Sequence, residues 1–336
     1  MLNLPLESLV KVDQSTPLCK SNDALASLDV AIIGHTGFVG GTLLDHLPRA
    51  ACFNSKNIHD IAGKCFDVVF CCGLPAAKWW INQHPDEDLG NMLRLQDVLA
   101  QVECKGHFVL ISTIDVYDVG YPCQTEHVTH PATHSYGKHR RQMEEYVVQH
   151  FGADRCTIIR LPGLFGMGLK KNVIFDLLNN NMVEAVCSNH VFQWYDLADL
   201  YTDISTRIFT TKNCAADVTS GPSIFNMFTE PITTAELVKH AFPEHWPQVS
   251  SNVTDKIVTY DIRTTHAGPG YIADKTSVLS KIGAYVAVQR KINSGRGRLL
   301  AISNLAWPPE NDDHAVRLLA KYGIGSVEIA PTRHAP

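Results

Sequence analysis

The chain has 336 residues, of which 45% are hydrophobic and 19% charged, a composition that supports a full hydrophobic core and excludes a disordered or low-complexity protein. Its formal net charge of -5 disfavours a general nucleic-acid-binding surface. Residues 1–28 lack the apolar core of a signal peptide, and no apolar run approaches the roughly 18 residues of a membrane span, so we expect no membrane or nucleic-acid partner.

Ten cysteines are scattered along the chain without the spacing of a disulfide framework. Cys71 and Cys72 end an apolar run, where thiols serve as small core residues. A chain of this length needs no disulfide staples, so the pattern favours a reducing compartment, and we expect a cytoplasmic protein.

Short apolar runs predict the buried strands of a parallel sheet. They are Val30–Ile33, Ala51–Asn54, Phe66–Gly73, His107–Thr113 and Cys156–Arg160. Helical patterns lie between them, at Val39–Leu47, Leu89–Val102 and Tyr136–Phe151. Because each crossover must bury its helix on a sheet face, this alternation predicts an α/β, Rossmann-like, doubly wound parallel sheet.

The alternation weakens after Gly163. A helix is predicted at Val173–Leu178, and Thr233 and Glu236 form a capping box that opens a second helix ending at Phe242. We therefore predict four segments along the chain. They are an N-terminal extension over 1–28, a Rossmann-like domain over 29–168, a smaller mixed α/β substrate region over 169–293 that is partly interleaved with it, and a βαβ tail over 294–336.

Three glycines, Gly34, Gly37 and Gly40, form a G-x-x-G-x-x-G turn between the first strand and the first helix. Glycine lets the backbone approach a pyrophosphate, while the helix N-terminus supplies amides and partial positive charge. The flanking strand and helix favour dinucleotide binding over a plain strand-to-helix turn.

The second predicted strand carries Asn54, Ser55 and Lys56 where an acidic residue usually binds the adenosine ribose. This pattern slightly favours a 2′-phosphate, hence NADP, but NAD stays open.

Four motifs in this order resemble the extended short-chain dehydrogenases/reductases, in particular the NAD-dependent epimerase/dehydratase group that acts on nucleotide sugars. They are Gly34–Gly40, Ser112–Tyr117, Tyr136–Arg140 and Arg160–Gly166, within a resemblance that covers roughly residues 29 to 290. The resemblance implies NAD or NADP as cofactor, a nucleotide-sugar substrate and, by analogy, a homodimer. The cofactor contacts it implies are Gly34, Thr36, Gly37, Phe38, Val39, Gly40, Asn54, Ser55, Cys72, Gly73, Leu74, Ser112, Tyr136, Arg140 and Pro162.

The resemblance also implies a catalytic set. Thr113 hydrogen-bonds the reacting oxygen, and Tyr136 exchanges a proton with the substrate hydroxyl. Arg140 stands where the family has a lysine, four residues after the tyrosine and on the same helix face. Its permanent charge still favours a tyrosinate, although its fork is bulkier than an ammonium. The alternatives are a Tyr136–Arg140 pair that only holds the cofactor, or a plain pair of helix residues.

Asp115 lies two residues after Thr113, where the similar dehydratases place an acidic base that removes a sugar C5 proton. The partner acid of those enzymes is replaced by Ile114. The alternative is an aspartate that caps the loop after the strand.

Further polar residues are candidates for substrate binding. They are Lys78, Lys171, Asn172, Gln193 and Tyr195, for which solvated charge and core packing are equal alternatives. A run of Cys123, His127, His130 and His134 has spacing that a metal site can have, but sixteen histidines make such clusters common by chance. We expect no metal.

The C-terminal tail changes character. A strand at Leu299–Ser303, a helix at Asp312–Lys321 and a strand at Val327–Ala330 make one βαβ unit that resembles the opening of a sugar phosphate isomerase/epimerase TIM barrel. One unit cannot close a barrel. The tail is therefore a truncated fusion, the interpretation that we favour, or a remnant that packs against the first domain.

Together these features predict an NAD(P)-dependent enzyme that modifies a nucleotide sugar by internal redox chemistry, as an epimerase or a dehydratase. Two alternatives stay open. One is an NADPH-dependent keto-sugar reductase; the other, suggested by Arg140, is a non-catalytic dinucleotide-binding regulatory protein.

Overall fold

The computed structural model describes residues 25, 27–209, 223–294, 301–303, 315, 317, 319 and 326–328. Its strands are β1 Val30–Ile33, β2 Ala51–Phe53, β3 Cys65–Cys71, β4 Glu103–Thr113, β5 Cys156–Leu161, β6 Gly163–Phe165, β7 Val191–Phe192, β8 Trp194–Asp196, β9 Ser223–Asn226, β10 Ile232–Thr233, β11 Ala301–Ser303 and β12 Ser326–Glu328. Its α-helices are α1 Phe38–His46, α2 Lys78–Gln83, α3 Pro85–Leu99, α4 Ser135–Phe151, α5 Val173–Leu178, α6 Leu200–Ile204, α7 Thr234–Ala241, α8 Trp246–Val249 and α9 Lys275–Asn293.

A six-stranded parallel sheet, in the order β2-β1-β3-β4-β5-β9, forms the centre of the molecule. Every residue of β1 and β5 is buried, because helices cover both faces of the sheet. One face packs against α3 and α4 through residues such as Leu99 and Val147, and the other packs against α1 and α6 through Leu43 and Leu200. The predicted doubly wound α/β sheet is confirmed.

Two elements begin a full four residues before their predicted starts, each for a physical reason. β4 starts at Glu103 rather than His107. Its first residues are mostly exposed, and they belong to the strand because Glu103 and Cys104 pair with Cys65 and Phe66 of β3. α3 starts at Pro85 rather than Leu89, because a proline at the first helical position and acidic residues in the first turn favour a helix start.

A second core is formed by residues outside the six-stranded sheet. It combines Phe165, Trp194, Phe242 and Ile282 from β6, β8, the end of α7 and α9. β6 pairs in parallel with β8, and β7 pairs antiparallel with β10, outside the main sheet. β9 then returns to the main sheet, so that the two halves of the chain share one structure.

The predicted capping box at the start of α7 is present. Thr233 Oγ1 accepts from the Glu236 amide at 3.1 Å, and the Glu236 carboxylate accepts from the Thr233 amide at 2.9 Å. The helix ends at Ala241, one residue before the predicted end.

The described part of the tail contains the two predicted strands, since β11 and β12 pair in parallel. Positions 315, 317 and 319 between them are helical. The remaining residues of the predicted tail, and all of the extension over 1–28 except 25, 27 and 28, lie outside the described residues. The resemblance of the tail to a TIM barrel stays a prediction.

Among the described residues, every cysteine is a free thiol. Within the same part of the chain, no helix combines the length and apolar character needed to cross a membrane.

A buried ion pair fixes α4 on the sheet. Arg160 of β5 is fully buried and donates through Nε and NH2 to the two carboxylate oxygens of Glu144, at 2.9 and 2.7 Å. Ser112 at the end of β4 donates to the same carboxylate at 2.6 Å. Arg160 also donates to the hydroxyl of Tyr117, whose pKa burial raises to about 12 against the opposing charge of Arg160.

Replacing Glu144 with glutamine should therefore leave the Arg160 guanidinium buried without its counter-ion. We expect Glu144→Gln to lower the free energy of unfolding by about 3–5 kcal/mol, as measured by urea denaturation. Glu145→Gln is the matched control, because Glu145 is exposed and makes a surface pair with Arg141 that contributes less than about 1 kcal/mol. Equal losses in the two variants would contradict the structural role of the buried pair.

Candidate active site

The turn between β1 and α1 is built for a close approach of backbone. Gly34 has φ 85°, and a Cβ there would lie 2.5 Å from the carbonyl oxygen of Cys72 at the end of β3. Its amide donates to Phe53 at the end of β2, at 2.7 Å. The turn thus ties together the ends of three neighbouring strands, and only glycine fits its first position.

The next glycine of the turn lies at the start of α1. Gly37 is exposed and is the N-cap residue, and no side chain caps the helix. A Cβ at Gly37 would have one near neighbour, the carbonyl oxygen of Gly34 at 3.2 Å. The amides of the first helical turn therefore face a space that fits an anionic group such as a phosphate.

This turn lies where the chain order in the sheet reverses. β1 has β2 on one side and β3 on the other, which is the switch point at which parallel sheets bind ligands beyond their carboxyl ends. The predicted cofactor residues Thr36, Phe38, Val39 and Gly40 lie in the turn and first turn of α1. Cys72, Gly73, Leu74 and Pro162 follow β3 and β5 at the same edge.

Asn54 and Ser55 follow β2 at this edge. The Asn54 side chain accepts from the Lys56 amide at 2.9 Å, while Asn57 accepts from the Asn54 amide at 2.7 Å. The loop is therefore a compact polar turn, with Ser55 and Lys56 exposed. Its neutral and basic side chains suit either a ribose hydroxyl or a ribose phosphate.

Tyr136 lies near the start of α4, beside the end of β4. The phenol is buried, and the side chains of Thr113 and Arg140 lie next to it. Burial raises the pKa of Tyr136, the charge of Asp115 adds to this rise, and the charge of Arg140 opposes it. The structure thus brings together all four residues of the predicted catalytic set.

A glycine makes this arrangement possible. A Cβ at Gly137 would lie 2.2 Å from the backbone oxygen of Asp115 and 2.4 Å from the Ala132 methyl. The first turn of α4 therefore sits directly on the backbone of the loop after β4. His134 caps the helix by accepting from the Gly137 amide at 3.0 Å.

Arg140 is held by Asp88, a partner that the sequence did not reveal. Its NH1 and NH2 groups donate to the two carboxylate oxygens of Asp88 in α3, at 3.0 and 3.1 Å, and NH2 also donates to the Pro75 carbonyl. His139 lies 2.7 Å from the same carboxylate. The guanidinium carbon is 4.6 Å from the centre of the Tyr136 ring. Arg140 is thus a fixed, buried cation.

Asp115 belongs to a second cluster. Its Oδ1 accepts from the Lys78 ammonium at 2.6 Å and from the Tyr260 hydroxyl at 2.7 Å, and Lys78 also donates to Tyr260 at 3.1 Å. Thr113 Oγ1 accepts from the Asp115 amide at 3.1 Å, so the threonine caps this loop. No local sequence pattern predicts that Tyr260 reaches this site, because its position depends on pairing with Val191, which is distant in the chain.

Lys171 also reaches this edge, where its ammonium donates to the carbonyl of Ala76, two residues before Lys78. Partial burial lowers the pKa of Lys171. Asn172 instead caps α5 by accepting from two backbone amides, and its amide donates to Leu164.

The remaining predicted residues have their polar groups engaged elsewhere. The buried amide of Gln193 donates to the carbonyls of Thr229 and Ile262. Tyr195 donates to Asp203 at 2.7 Å and lines a cavity of about 290 Å³ between α6 and α9. The hydroxyl of Ser112 faces Glu144, so it serves the junction of sheet and helix.

In the described part of the chain, no group of three or more histidine, cysteine or acidic side chains is arranged to hold a metal ion. In the histidine-containing loop, His134 caps α4, His130 stacks on Tyr121, and the Cys123 thiol donates to Asp261.

Neither a protein-family model nor a curated protein matches the chain. Solved structures do. MoeE5 in complex with UDP-glucuronic acid and NAD matches with a TM-score of 0.58 at 15% identity, over 78% of this chain and 99% of that chain. UDP-glucose 4-epimerase from Thermotoga maritima, with UDP-glucose, matches with a TM-score of 0.55 at 16% identity over the same shares.

The dTDP-4-dehydrorhamnose reductase from Bacillus anthracis, in complex with NADP, has a TM-score of 0.54 at 14% identity, over 77% of this chain and 98% of that chain. The chain has the fold of the extended short-chain dehydrogenases/reductases. The resemblance seen in four sequence motifs is thereby confirmed at the level of the fold.

The Arg140–Asp88 pair can be tested by removing the carboxylate charge. Asp88→Asn leaves a buried guanidinium without its counter-ion, so we expect the free energy of unfolding to fall by about 3–5 kcal/mol. Asp86→Asn, on the exposed side of the same helix turn, should cost at most about 1 kcal/mol. Urea denaturation of both variants measures the difference, and an unaffected Asp88→Asn would show that Arg140 does not depend on this partner.

Proposed function

We propose that the chain binds NAD or NADP and modifies a nucleotide-linked sugar by internal redox chemistry, as an epimerase or a dehydratase does. The observation that carries the proposal is the buried Tyr136 phenol, which lies beside Thr113 and the Arg140 guanidinium at the sheet edge that also holds the glycine turn. The fold neighbours support the substrate class, since their structures hold UDP-glucuronic acid and UDP-glucose.

The residues around the switch point fit a dinucleotide. Gly34, Gly37 and the first amides of α1 would hold its pyrophosphate, and Asn54 and Ser55 would face the adenosine ribose. Cys72, Gly73 and Leu74, which follow β3, would lie along the dinucleotide. Tyr136 and Arg140 would lie at its nicotinamide end. When bound, the nicotinamide supplies a hydride acceptor and donor.

Tyr136 would exchange the proton of the substrate hydroxyl, and Thr113 would hydrogen-bond the same oxygen. Because burial raises the pKa of Tyr136, the phenol of the ligand-free protein is protonated at neutral pH. Arg140 works against this rise, since the charge of its guanidinium stabilises the phenolate. Arg140 would thus take over the electrostatic role of the family lysine.

Lys78 and Lys171 are proposed to bind the substrate. The Lys171 ammonium contacts Ala76 in the loop between β3 and α2, and Lys78 is the first residue of the helix that follows this loop, so a nucleotide diphosphate there would meet two cations. For Asn172, Gln193 and Tyr195, the observed interior contacts favour structural roles over substrate contact.

Two other functions have an observation in their favour. An NADPH-dependent keto-sugar reductase is supported by the likeness to a dTDP-4-dehydrorhamnose reductase that binds NADP, and by the absence of an acidic residue in the loop after β2. A dinucleotide-binding protein without catalysis is supported by the Arg140–Asp88 pair. The negative charge of Asp88 offsets the positive charge of Arg140 that would stabilise a Tyr136 phenolate.

The glycine turn gives a direct test of cofactor binding. Gly37→Ala adds a methyl group beside the first amides of α1, 3.2 Å from the Gly34 carbonyl oxygen, so we expect at least about tenfold weaker binding of NAD or NADP. Gly41→Ala is the control, because it lies inside α1 and should leave affinity unchanged. Calorimetric titration with each nucleotide measures both variants, and equal affinities would place the phosphates elsewhere.

Tyr136→Phe tests the chemistry. We expect it to lower turnover of nucleotide sugars by at least about a hundredfold while dinucleotide binding persists, because the proton-exchanging hydroxyl is lost. Tyr146→Phe, on the same helix as Tyr136, loses a hydrogen bond to the Gln96 carbonyl of α3 and should behave like the wild type. The assay is mass spectrometry of products from a panel of UDP- and dTDP-sugars.

The product identifies the reaction. An unchanged mass with altered stereochemistry indicates an epimerase, loss of one water a dehydratase, and consumption of added NADPH a reductase. Dinucleotide binding without turnover of any sugar would favour the non-catalytic function, and full turnover by Tyr136→Phe would refute the proposed mechanism.

A further inference from the structure

We propose that Tyr260 is a positioning residue of this site: through Asp115 it holds the Lys78 ammonium as a hydrogen-bond donor to the nucleotide sugar. The inference rests on the proposed function for its substrate, although the contacts themselves do not. It also assigns Asp115 as a hydrogen-bond acceptor rather than as the base that removes a carbon-bound proton. The reaction that follows is epimerisation or reduction, not dehydration.

The three side chains form a closed triangle of hydrogen bonds. Lys78 Nζ lies 2.6 Å from Asp115 Oδ1 and 3.1 Å from the Tyr260 oxygen, and the Tyr260 hydroxyl donates to Asp115 Oδ1 at 2.7 Å. The ammonium also lies 5.8 Å from the centre of the Tyr260 ring. The direction of the lysine is therefore set by both partners together.

Tyr260 is rigidly placed. Its amide donates to the Val191 carbonyl at 3.0 Å, and its ring packs against Phe192 beside the fully buried Ile262. Burial and the negative charge of Asp115 both raise the pKa of Tyr260, so its hydroxyl remains a proton donor at all moderate pH values. A fixed, protonated phenol can orient a carboxylate without competing for protons.

The Lys78 ammonium has one N–H group that Asp115 and Tyr260 do not engage. An ammonium has three N–H groups, of which Asp115 and Tyr260 engage two. The Lys78 side chain is 38% exposed while that of Asp115 is 15% exposed, so the lysine is the more accessible of the two to a ligand. A sugar hydroxyl or phosphate oxygen is its natural acceptor.

Asp115 is poorly arranged to act as a base. Its Oδ1 already accepts from an ammonium and a phenol. Its Oδ2 accepts a long bond of 3.4 Å from Thr113. Both carboxylate oxygens are thus used as hydrogen-bond acceptors within the protein.

The link between Tyr260 and Lys78 is tested first without any ligand. The full-length protein is acylated with acetyl N-hydroxysuccinimide, and the rate at Lys78 is followed by peptide mass spectrometry relative to the exposed Lys138. Tyr260→Phe should raise the relative rate at Lys78 about 2- to 10-fold, the equivalent of one lost hydrogen bond. Tyr146→Phe should leave it unchanged. An unchanged rate in Tyr260→Phe would overturn the positioning role.

The role toward substrate is tested by calorimetric titration with UDP-glucose in saturating NAD. We expect Tyr260→Phe to weaken binding about 2- to 10-fold and Lys78→Met to weaken it further, with the double variant no weaker than Lys78→Met. Lys138→Met is the control for a lost surface charge. Effects that multiply in the double variant would show that Tyr260 does not act through Lys78.

The outcomes separate this inference from the proposed function. If the wild type binds neither NAD nor any nucleotide sugar, the proposed function fails and the substrate role of Lys78 fails with it, while the acylation rates still decide the Tyr260–Lys78 link. If turnover releases a product lighter by one water, the assignment of Asp115 is wrong. An epimer or a reduced sugar with unchanged skeleton supports it.

Discussion

The position of α4 on the sheet depends on the buried pair between Arg160 and Glu144. Two donors of the guanidinium and the Ser112 hydroxyl converge on one carboxylate, and all three side chains are buried. Charges removed from water in this way need complete pairing, so α4 cannot slide along β4 and β5 without a large cost. Tyr136 lies two turns before Glu144 on that helix, and its height above the sheet follows from this constraint.

A second buried arginine completes the arrangement on the same helix. Arg140 lies between Glu144 and Tyr136, where its fork spans both oxygens of Asp88. A lysine at this position would be a single mobile point charge, whereas the planar guanidinium is locked in place and packs against the phenol ring. The chain thus substitutes a rigid cation for a flexible one, and Asp88 is the residue that makes the substitution compatible with burial.

What the sequence revealed depended on local patterns. The strand β1, the glycine turn and the capping box at Thr233 are encoded within a few neighbouring residues, and they were predictable. Asp88 and Tyr260 were not, because their importance comes from contacts with Arg140 and Asp115 that are far away in the chain. Gln193 and Asn172 were predicted to bind substrate, but their side chains donate to backbone carbonyls of the protein instead. A polar residue type alone did not distinguish these two roles.

The charges at the carboxyl edge of the sheet favour an anionic ligand. Arg140 is matched by Asp88, and Lys78 is matched by Asp115, so each pair is close to neutral. Lys171 donates to a carbonyl oxygen, and its partial burial lowers its pKa because the charge lacks full solvation. A diphosphate near Lys171 would supply the missing counter-charge and, by the same linkage, would raise the pKa of that ammonium. A phosphorylated ligand of the proposed kind would thus bring the site closer to electrostatic balance.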